Sequence, residues 1–503
     1  MVDATFTPRT AVGLRSERGP VLASVMLTTG LVALDSTIIA TAVPSVVRDL
    51  GGFSQFPWLF SVYLLTAAVT TPLYGKLADV VGRRPVMFAG IAAFLVGSVL
   101  CGFAWSMLTL IVFRAVQGVG AGAIQPMSMT IIGDLYTVEE RARVQGYVAG
   151  VWGVSSVIGP AIGGVFADYL SWRWIFFVNI PVGLAAVWML VRNLKERVER
   201  RQHRIDYLGA SLLVAGCTLL ILGTLEGGIT WAWTSVPSVA IFSGGAVLMV
   251  AFWFVERRAA EPVLPLWVFR HRILVGGNLV ALVVGALLIG LTSFVPSFAQ
   301  GVLGASAVGA GFVVAAMSLG WPIAATLSGQ VYLRIGFRDT SLAGGAVIVA
   351  GSVMCAVLGR YTGIGWLTVA CFVIGVGLGL TSSPTLVALQ SVVGWDRRGV
   401  VTGTNMFFRS IGSAVGGAVF GAIANTTLDR RFAAAPPGAR ERLGGADATD
   451  VVLKGKDTQP AVLEYARGSL YAATHHVFIA LACVAVLGAG AVLLMPRRAT
   501  PLP

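Results

Sequence analysis

The sequence predicts an all-α integral membrane protein with fourteen spans, built as two six-helix bundles with two extra helices between them. Three observations carry this prediction. The 503-residue chain is 56% hydrophobic and only 12% charged, whereas a soluble domain carries about twice that share of charged residues. Apolar runs of about twenty residues recur along the whole length. The second half also repeats sequence patterns of the first half at a nearly constant offset.

Fourteen apolar runs are long enough to cross a bilayer as helices. The first run is too long for the core of a cleaved signal peptide and contains Asp35, so we expect it to remain as the first span. The runs lie near 21–43, 57–74, 86–105, 107–131, 143–168, 174–192, 207–226, 237–255, 274–299, 306–333, 341–359, 364–390, 399–424 and 474–495.

Basic residues follow a positive-inside pattern. If the N-terminus is inside, the inner connections carry clusters of Lys and Arg, whereas the short outer loops hold only Arg48, Arg173 and Arg360. This bias predicts a multi-pass protein of the cell (inner or plasma) membrane with both termini cytoplasmic. The net charge of +13 is thereby interpreted as orientation in a lipid bilayer and not as a nucleic-acid surface.

An internal repeat predicts the domain organisation. "QGVGAG" (117–122) matches "IGVGLG" (374–379) at an offset of 257, and "GKLADVVGRR" (75–84) matches "GQVYLRIGFR" (329–338) at 254. Two six-helix repeats are an architecture of transporters. The expected units are a cytoplasmic tail at 1–20, a first bundle at 21–200, two linker helices at 201–262, a second bundle at 263–495 with a long outer loop near 425–473, and a tail at 496–503.

One carboxylate and one guanidinium are candidates for proton coupling. Asp35 lies about ten residues, roughly 15 Å, from the outer end of the first span, and Arg114 about nine residues, roughly 13 Å, from that of the fourth. We therefore expect both near the bilayer midplane, at similar depth. The repeat places Leu287 and Cys371 at the equivalent positions. Charges at such depth are costly and usually functional, with polar packing between helices as the alternative.

The fifth span contains the glycine-rich segment "GVSSVIGPAIGG" (153–164). Its glycines allow close packing against a neighbour, and its proline weakens the helix locally. A motif that serves packing only is the alternative interpretation. The candidate residues are Gly153, Gly159, Pro160, Gly163 and Gly164.

The inner turn "GKLADVVGRRP" (75–85) is a candidate latch. Its aspartate can form a charge cluster with the arginines, or accept hydrogen bonds from a helix N-terminus in the other half. A cluster made in only one conformation would act as a latch, and an ordinary positive-inside loop is the alternative. The candidate residues are Gly75, Asp79, Gly82, Arg83 and Arg84.

Three further polar residues are candidates for substrate contact or coupling: Glu226 at the outer end of span seven, Gln117 in span four and Arg409 in span thirteen. The sequence contains no G-x-x-x-x-G-K-[ST] segment and no metalloprotease or nucleophile-elbow motif. The five cysteines all fall inside apolar runs without metal-ligand spacing. We therefore expect no enzyme, no catalytic residue, no metal site and no nucleotide.

These segments together resemble the major facilitator superfamily, and more narrowly its fourteen-span drug:proton antiporters. The inner turn resembles the superfamily's inner-loop signature. "RAVQGVGAGAIQP" resembles its span-four proton-transfer signature, which carries Arg114 into that role. The glycine-rich segment of span five resembles the antiporter signature. "LDSTIIATAVP" resembles the first-span signature, in which the acid Asp35 is implicated in coupling, and "WRWIFFVNIPVG" (172–183) is also typical of the branch.

The resemblance implies a major facilitator fold and a proton-driven exporter of lipophilic, often cationic, small molecules such as drugs, dyes and antibiotics. The proton gradient drives it, so no cofactor is expected. The expected partners are the small-molecule substrate, protons and the lipid bilayer, with no nucleic acid. A dedicated exporter of an endogenous metabolite or lipid is the alternative, and a non-transporting membrane scaffold or sensor is the alternative of another class.

Overall fold

A computed structural model of the chain describes residues 13–51, 55–56, 58–194, 196, 206–227, 231, 235–436, 460–498 and 500–502. Within these residues, fourteen helices are long and apolar enough to cross a membrane, which confirms the all-α class and the number of spans predicted. We use "inner" for the face that is predicted to be cytoplasmic.

The first bundle is formed by seven helices, of which α6 and α7 together make the sixth span. They are α1 (Gly19–Leu50), α2 (Trp58–Val81), α3 (Arg83–Gly102), α4 (Met107–Leu135), α5 (Val138–Tyr169), α6 (Trp174–Phe177) and α7 (Asn179–Asn193). Two further helices, α8 (Tyr207–Glu226) and α9 (Val236–Glu256), pack on each other, and α8 also contacts α2 and the helix Trp395–Ala433 of the second bundle.

The second bundle follows a short 3₁₀ turn at Leu266–Phe269. It consists of α10 (Arg272–Gly301), α11 (Ala307–Ile335), α12 (Phe337–Ala356), α13 (Ile364–Ser391), α14 (Trp395–Ala433) and α15 (Pro460–Val492). The pairs α3–α4 and α12–α13 are equivalent in the repeat, and both are packed through glycine. A Cβ on Gly97 would lie 2.5 Å from the backbone nitrogen of Gln117, and one on Gly351 would lie 3.0 Å from that of Ile374.

The two bundles touch each other along the inner parts of two helix pairs, α2 with α14 and α5 with α11. A Cβ on Gly75 would lie 2.6 Å from the carbonyl oxygen of Gly399, and one on Gly329 would overlap Ala142. Among the described residues, the hydrogen bonds between the bundles also lie at inner helix ends, such as Tyr332 Oη to the Val138 carbonyl oxygen at 3.0 Å. The structure is therefore closed at its inner face.

The long outer loop predicted near 425–473 is wrong at both ends. Helix α14 continues to Ala433, and α15 begins at Pro460. Hydropathy marks only the apolar part of a helix, and both helices continue beyond their apolar runs and pack on each other. Tyr465 Oη donates to the Arg431 carbonyl oxygen at 2.6 Å. The part of this loop at 437–459 lies outside the described residues.

Candidate functional site

Asp35 and Arg114 meet in the core of the first bundle. Arg114 Nη1 donates to Asp35 Oδ2 at 2.6 Å, and only 1% of either side chain is exposed. The guanidinium has further partners, since its Nε donates to the Leu59 carbonyl oxygen at 3.1 Å and its Cζ lies 4.2 Å from the centre of the Tyr63 ring. Such partners are what allow a pair of charges to remain ionised away from water.

Three buried neutral side chains complete the surroundings of Asp35. Gln117 Nε2 and Asn179 Nδ2 donate to Asp35 Oδ1 at 2.7 and 3.0 Å, and both also donate to Ser98 Oγ. Gln117 Oε1 in turn accepts from Arg114 Nη1 at 2.7 Å. Three donors on one carboxyl group suit its ionised form, which only accepts hydrogen bonds. We call these five residues (Asp35, Ser98, Arg114, Gln117 and Asn179) the Asp35 cluster.

The Asp35 cluster lies nearer to the outer ends of α3 and α4 than to their inner ends. Arg114 comes seven residues after Met107, about 10 Å along α4, and Ser98 comes four residues before Gly102, about 6 Å from the end of α3. The expected similar depth of the two charges is confirmed by their contact. Asp35 lies 15 residues before Leu50, near the middle of α1, so the expected midplane position stays a prediction.

Two glycines of the span-five segment allow α5 to approach the helix that carries Asp35. A Cβ on Gly159 would overlap the hydroxyl group of Thr37, and a Cβ on Gly163 would overlap that of Thr41. Thr37 Oγ1 also donates to a backbone carbonyl of α5 at 3.0 Å. The segment is therefore a packing surface between α5 and α1, and Thr37 in that surface is two residues from Asp35.

The other residues of the segment lie elsewhere on α5. Gly153 faces the second bundle, where an added Cβ would lie 3.3 Å from Pro322 Cγ of α11. Gly164 has open space beside it, and Pro160 lies inside an unbroken helix. One helix thus contacts both α1 and the opposite bundle.

At the inner face, Asp79 binds the start of α14 in the other bundle. Its two carboxylate oxygens accept from the backbone N–H groups of Gly399 at 2.9 Å and Val400 at 2.7 Å. The expectation that this aspartate accepts from a helix N-terminus of the other half is confirmed. The role of a latch stays a prediction, since it depends on a second conformation.

Four charged residues surround this contact, and we call them the inner charge cluster: Asp79, Arg83, Asp134 and Arg398. Arg83 bridges two acids, with Nη2 2.9 Å from Asp79 Oδ1 and Nε 2.9 Å from Asp134 Oδ2. Arg398 of the second bundle lies 3.0 Å from Asp134 Oδ1. Arg83 also stacks on the ring of Trp395, 3.7 Å from its centre. The inner charge cluster therefore joins the bundles through ion pairs that are largely withdrawn from solvent.

Arg84 does not join the inner charge cluster, so that part of the prediction is wrong. Its Nη2 donates to the Val191 carbonyl oxygen at 3.3 Å on α7, because the turn directs it to the opposite side. Glu196 accepts from the backbone N–H groups of Arg83 and Arg84, each at 2.8 Å. Gly82 forms the turn with φ of 100°, a conformation that favours glycine.

Of the remaining candidates, only Gln117 belongs to the Asp35 cluster. Glu226 is the last residue of α8 and is half-buried, and Arg409 is half-buried in the middle of α14. Sequence reasoning did not single out Ser98, Asn179 or Asp134 as functional residues. Two sequence features could have pointed to Asn179 and Asp134. Asn179 lies in the segment "WRWIFFVNIPVG", and Asp134 is an acid at an inner helix end among basic residues.

Two bundles that meet at one face, with a buried ion pair in one of them, define a membrane transporter of the two-bundle class. The family model for the Major Facilitator Superfamily matches residues 25–417. The chain belongs to this superfamily.

Similar proteins agree with this assignment. Multidrug resistance protein 3 of Bacillus subtilis is 34% identical over 475 residues, which cover 92% of each chain. Multidrug transporter protein MdtP of the same species is 37% identical over 413 residues, covering 82% of this chain and 76% of that one. A solved structure, the human organic anion transporter MFSD10, has a TM-score of 0.60 at 14% identity and covers 93% of this chain and 99% of that one, so it supports the fold alone. The two bacterial relatives are thus a multidrug resistance protein and a multidrug transporter.

Proposed function

We propose that the protein is a proton-coupled antiporter that exports lipophilic, often cationic, small molecules by alternating access. The similarity to multidrug transporters supports the substrate class. The Asp35 cluster is the observation that carries the coupling. A buried ion pair is often no more stabilising than an apolar core, and the second bundle has an apolar core at the equivalent positions, Leu287 and Cys371. Folding alone therefore does not account for the pair.

Proton binding at Asp35 changes which hydrogen-bond donors and acceptors are needed around its carboxyl group. A protonated carboxyl group gains an O–H donor, which faces two amide donors at Oδ1. Asn179 Oδ1 is buried and has no hydrogen-bond partner among the described residues. Rotating this amide by about 180° exchanges Nδ2 for Oδ1 and provides the acceptor. Arg114 loses its counter-charge in the same step, and a buried charge without a partner favours rearrangement.

Helix α5 offers a route from the Asp35 cluster to the inner contact between the bundles. Its outer part packs on α1 through Gly159 and Gly163, and its inner part packs on α11, where a Cβ on Gly146 would overlap Thr326. A shift of α1 that follows protonation thus acts on α5, and α5 acts on the inner seal. Opening this seal also requires that Asp79 releases the start of α14.

A cationic substrate does not share Asp35 with the proton in the inner-closed conformation. Both carboxylate oxygens accept from other side chains, and the carboxylate is enclosed in the first bundle. Competition between proton and substrate therefore acts through the conformational equilibrium: each ligand favours a different state, and each weakens the other by the same factor.

The test is proton movement that depends on substrate. Proteoliposomes with an internal pH indicator and a clamped membrane potential are exposed to ethidium, rhodamine 6G or a neutral dye. An acidic lumen should drive accumulation of a transported dye, the lumen should become more alkaline during its entry, and a protonophore should abolish both. Accumulation that is independent of the pH gradient, or without proton movement, would contradict the proposal.

A further inference from the structure

Arg409 places a guanidinium in the middle of α14 without a counter-charge. It comes fourteen residues after Trp395, about 21 Å along the helix. The ion pairs and hydrogen bonds of the described residues do not include its guanidinium; only its backbone carbonyl is used, which accepts from Ser413 Oγ at 3.2 Å. An arginine at such depth is costly unless water, a partner or a ligand reaches it.

The other arginines of the two described sites are treated differently. Arg83, Arg114 and Arg398 each lie within 3.0 Å of a carboxylate oxygen. Arg141, which is 3% exposed, has no ion pair among the described residues but donates to the carbonyl oxygens of Tyr136 and Gly133. The guanidinium of Arg409 has neither kind of partner among the described residues, although it is half-buried.

Around α14, Arg409 lies between the stripe that packs on the second bundle's α10 and the stripe that packs on the first bundle's α2, nearer to the former. Gly412 and Gly416 pack on α10, and Gly399 and Gly403 pack on α2 of the first bundle. At 100° per residue, Arg409 lies between these two stripes.

The lipid side of α14 lies elsewhere. Val415 and Val419, which are exposed on the surface of the protein, fall beyond the far edge of the stripe that packs on α10. Arg409 thus lies on the side of α14 that faces the space between the bundles.

Along the helix, Arg409 lies just outside the inner seal. Gly403 contacts α2, where an added Cβ would lie 3.2 Å from the Cα of Gly75. Arg409 comes six residues later, about 9 Å further towards the outer face. One turn before it, Asn405 Nδ2 donates to the Gly277 carbonyl oxygen at 3.1 Å and to Asn278 Oδ1 at 3.3 Å. Arg409 therefore lies on the outer side of the inner seal, one turn beyond an amide that is already bound to α10.

We propose that Arg409 binds a carboxylate, or a similar anionic group, of the transported molecule. The planar guanidinium matches a carboxylate with two parallel hydrogen bonds. Substrates that suit this site are amphiphiles with an apolar body and an acid group, including zwitterions that also carry a cation. The inference rests on the proposed function in that it takes the space between the bundles as the substrate path.

The test uses two probes that differ in one group: tetramethylrhodamine, which has a free carboxylate, and its methyl ester. Binding to the full chain in detergent is measured by fluorescence anisotropy without any gradient. Arg409→Gln should weaken binding of the carboxylate probe by roughly tenfold or more, and binding of the ester by less than about twofold, because only the carboxylate uses the charge-assisted bonds. Arg409→Lys should fall between, since it keeps the charge without the fork.

Arg430→Gln is the matched control, because Arg430 is exposed at the outer end of the same helix. It should bind both probes as the wild type does, and ester binding by Arg409→Gln reports that this variant is folded. Equal losses for both probes, unchanged binding of the carboxylate probe, or no binding of it by the wild type would each overturn the assignment. Because no gradient is used, these outcomes are independent of whether export is coupled to protons.

Discussion

At equivalent positions of the repeat, the first bundle carries a pair of charged side chains and the second bundle carries apolar ones. In the first, α1 and α4 carry Asp35 and Arg114, joined at 2.6 Å. In the second, α10 and α13 carry Leu287 and Cys371, which are 0% and 1% exposed and belong to one buried apolar cluster. The same helix arrangement thus forms with either charged or apolar side chains at these positions, so helix packing alone does not require the charges.

At the inner face, the two halves keep part of the same chemistry. Arg141 and Arg398 are separated by the repeat offset of 257, and both donate to the carbonyl oxygen of Gly133. Gly75 and Gly329, separated by 254, each lie where one bundle touches the other. The repeat therefore keeps these two pairs of residues where the bundles meet. It does not keep Asp79, which falls on Leu333, or the two charges at which we propose that the proton binds.

The largest effect should come from giving the second bundle the acid of the first. Leu287→Asp removes apolar contacts and leaves a buried carboxylate unpaired, which should cost about 5 kcal/mol or more of unfolding free energy. Thermal unfolding in detergent checks this, with Leu287→Met as the size-matched control that should stay near the wild type. A wild-type melting temperature for Leu287→Asp would show that the second bundle tolerates the charge.

The next effect concerns the pair itself. Asp35→Leu or Arg114→Leu alone leaves one buried charge and should cost about 3–5 kcal/mol of unfolding free energy. The double variant should recover most of this loss, because it makes the first bundle resemble the second. Unfolding of all four proteins in one detergent gives the coupling energy. Additive losses would mean that the two charges do not depend on each other.

A smaller effect is expected at the symmetric inner contact. Gly75→Ala and Gly329→Ala each insert a Cβ between the bundles, and overpacking of this kind costs about 1–3 kcal/mol. The inner-closed state should lose population, which paired spin labels on the inner ends of α2 and α14 can follow. Gly311→Ala is the control on α11, since nothing lies within 4 Å of the added atom. The same distance distribution in all variants would contradict a tight inner seal.

How much of this comparison could be read from the sequence depends on residue chemistry. Asp35 and Arg114 stood out because charges are rare in apolar spans, and the repeat showed that Leu287 and Cys371 replace them. Ser98 and Asn179 did not stand out, because small neutral polar residues are common in membrane helices and only the fold places them beside the acid.

The fold, like the site, was predicted from the sequence only in part. Apolar runs and the internal repeat predicted the spans and their division into halves. They did not predict that α14 and α15 extend beyond the apolar runs, since a hydropathy argument assigns a charged segment to a loop even where it is helical. Contacts between the bundles, such as Asp134 with Arg398, join residues 264 apart and depend on tertiary structure.

The smallest of the predicted mutational effects comes from changing the shape of the cation in the Asp35 cluster. Arg114→Lys keeps a positive charge but cannot reach the Leu59 carbonyl, Asp35 and Gln117 together, as the guanidinium does. Efflux should fall at least about tenfold, equivalent to about 1.4 kcal/mol. Initial rates in proteoliposomes, corrected for the amount of protein inserted, measure it. Equal rates for the two proteins would leave the guanidinium without a special role.

The most direct test of the central claim is transport by Asp35→Asn, compared with Asp49→Asn. Asp49 lies on the same helix, but its pair with Arg173 is exposed, and surface pairs contribute only about 0–1 kcal/mol. Proteoliposomes of each variant are given a dye that the wild type transports, with and without a pH gradient. Asp35→Asn should lose accumulation driven by the gradient while it still equilibrates the dye down its own gradient, and Asp49→Asn should keep both. Wild-type accumulation by Asp35→Asn would contradict the assignment of Asp35 as the proton site.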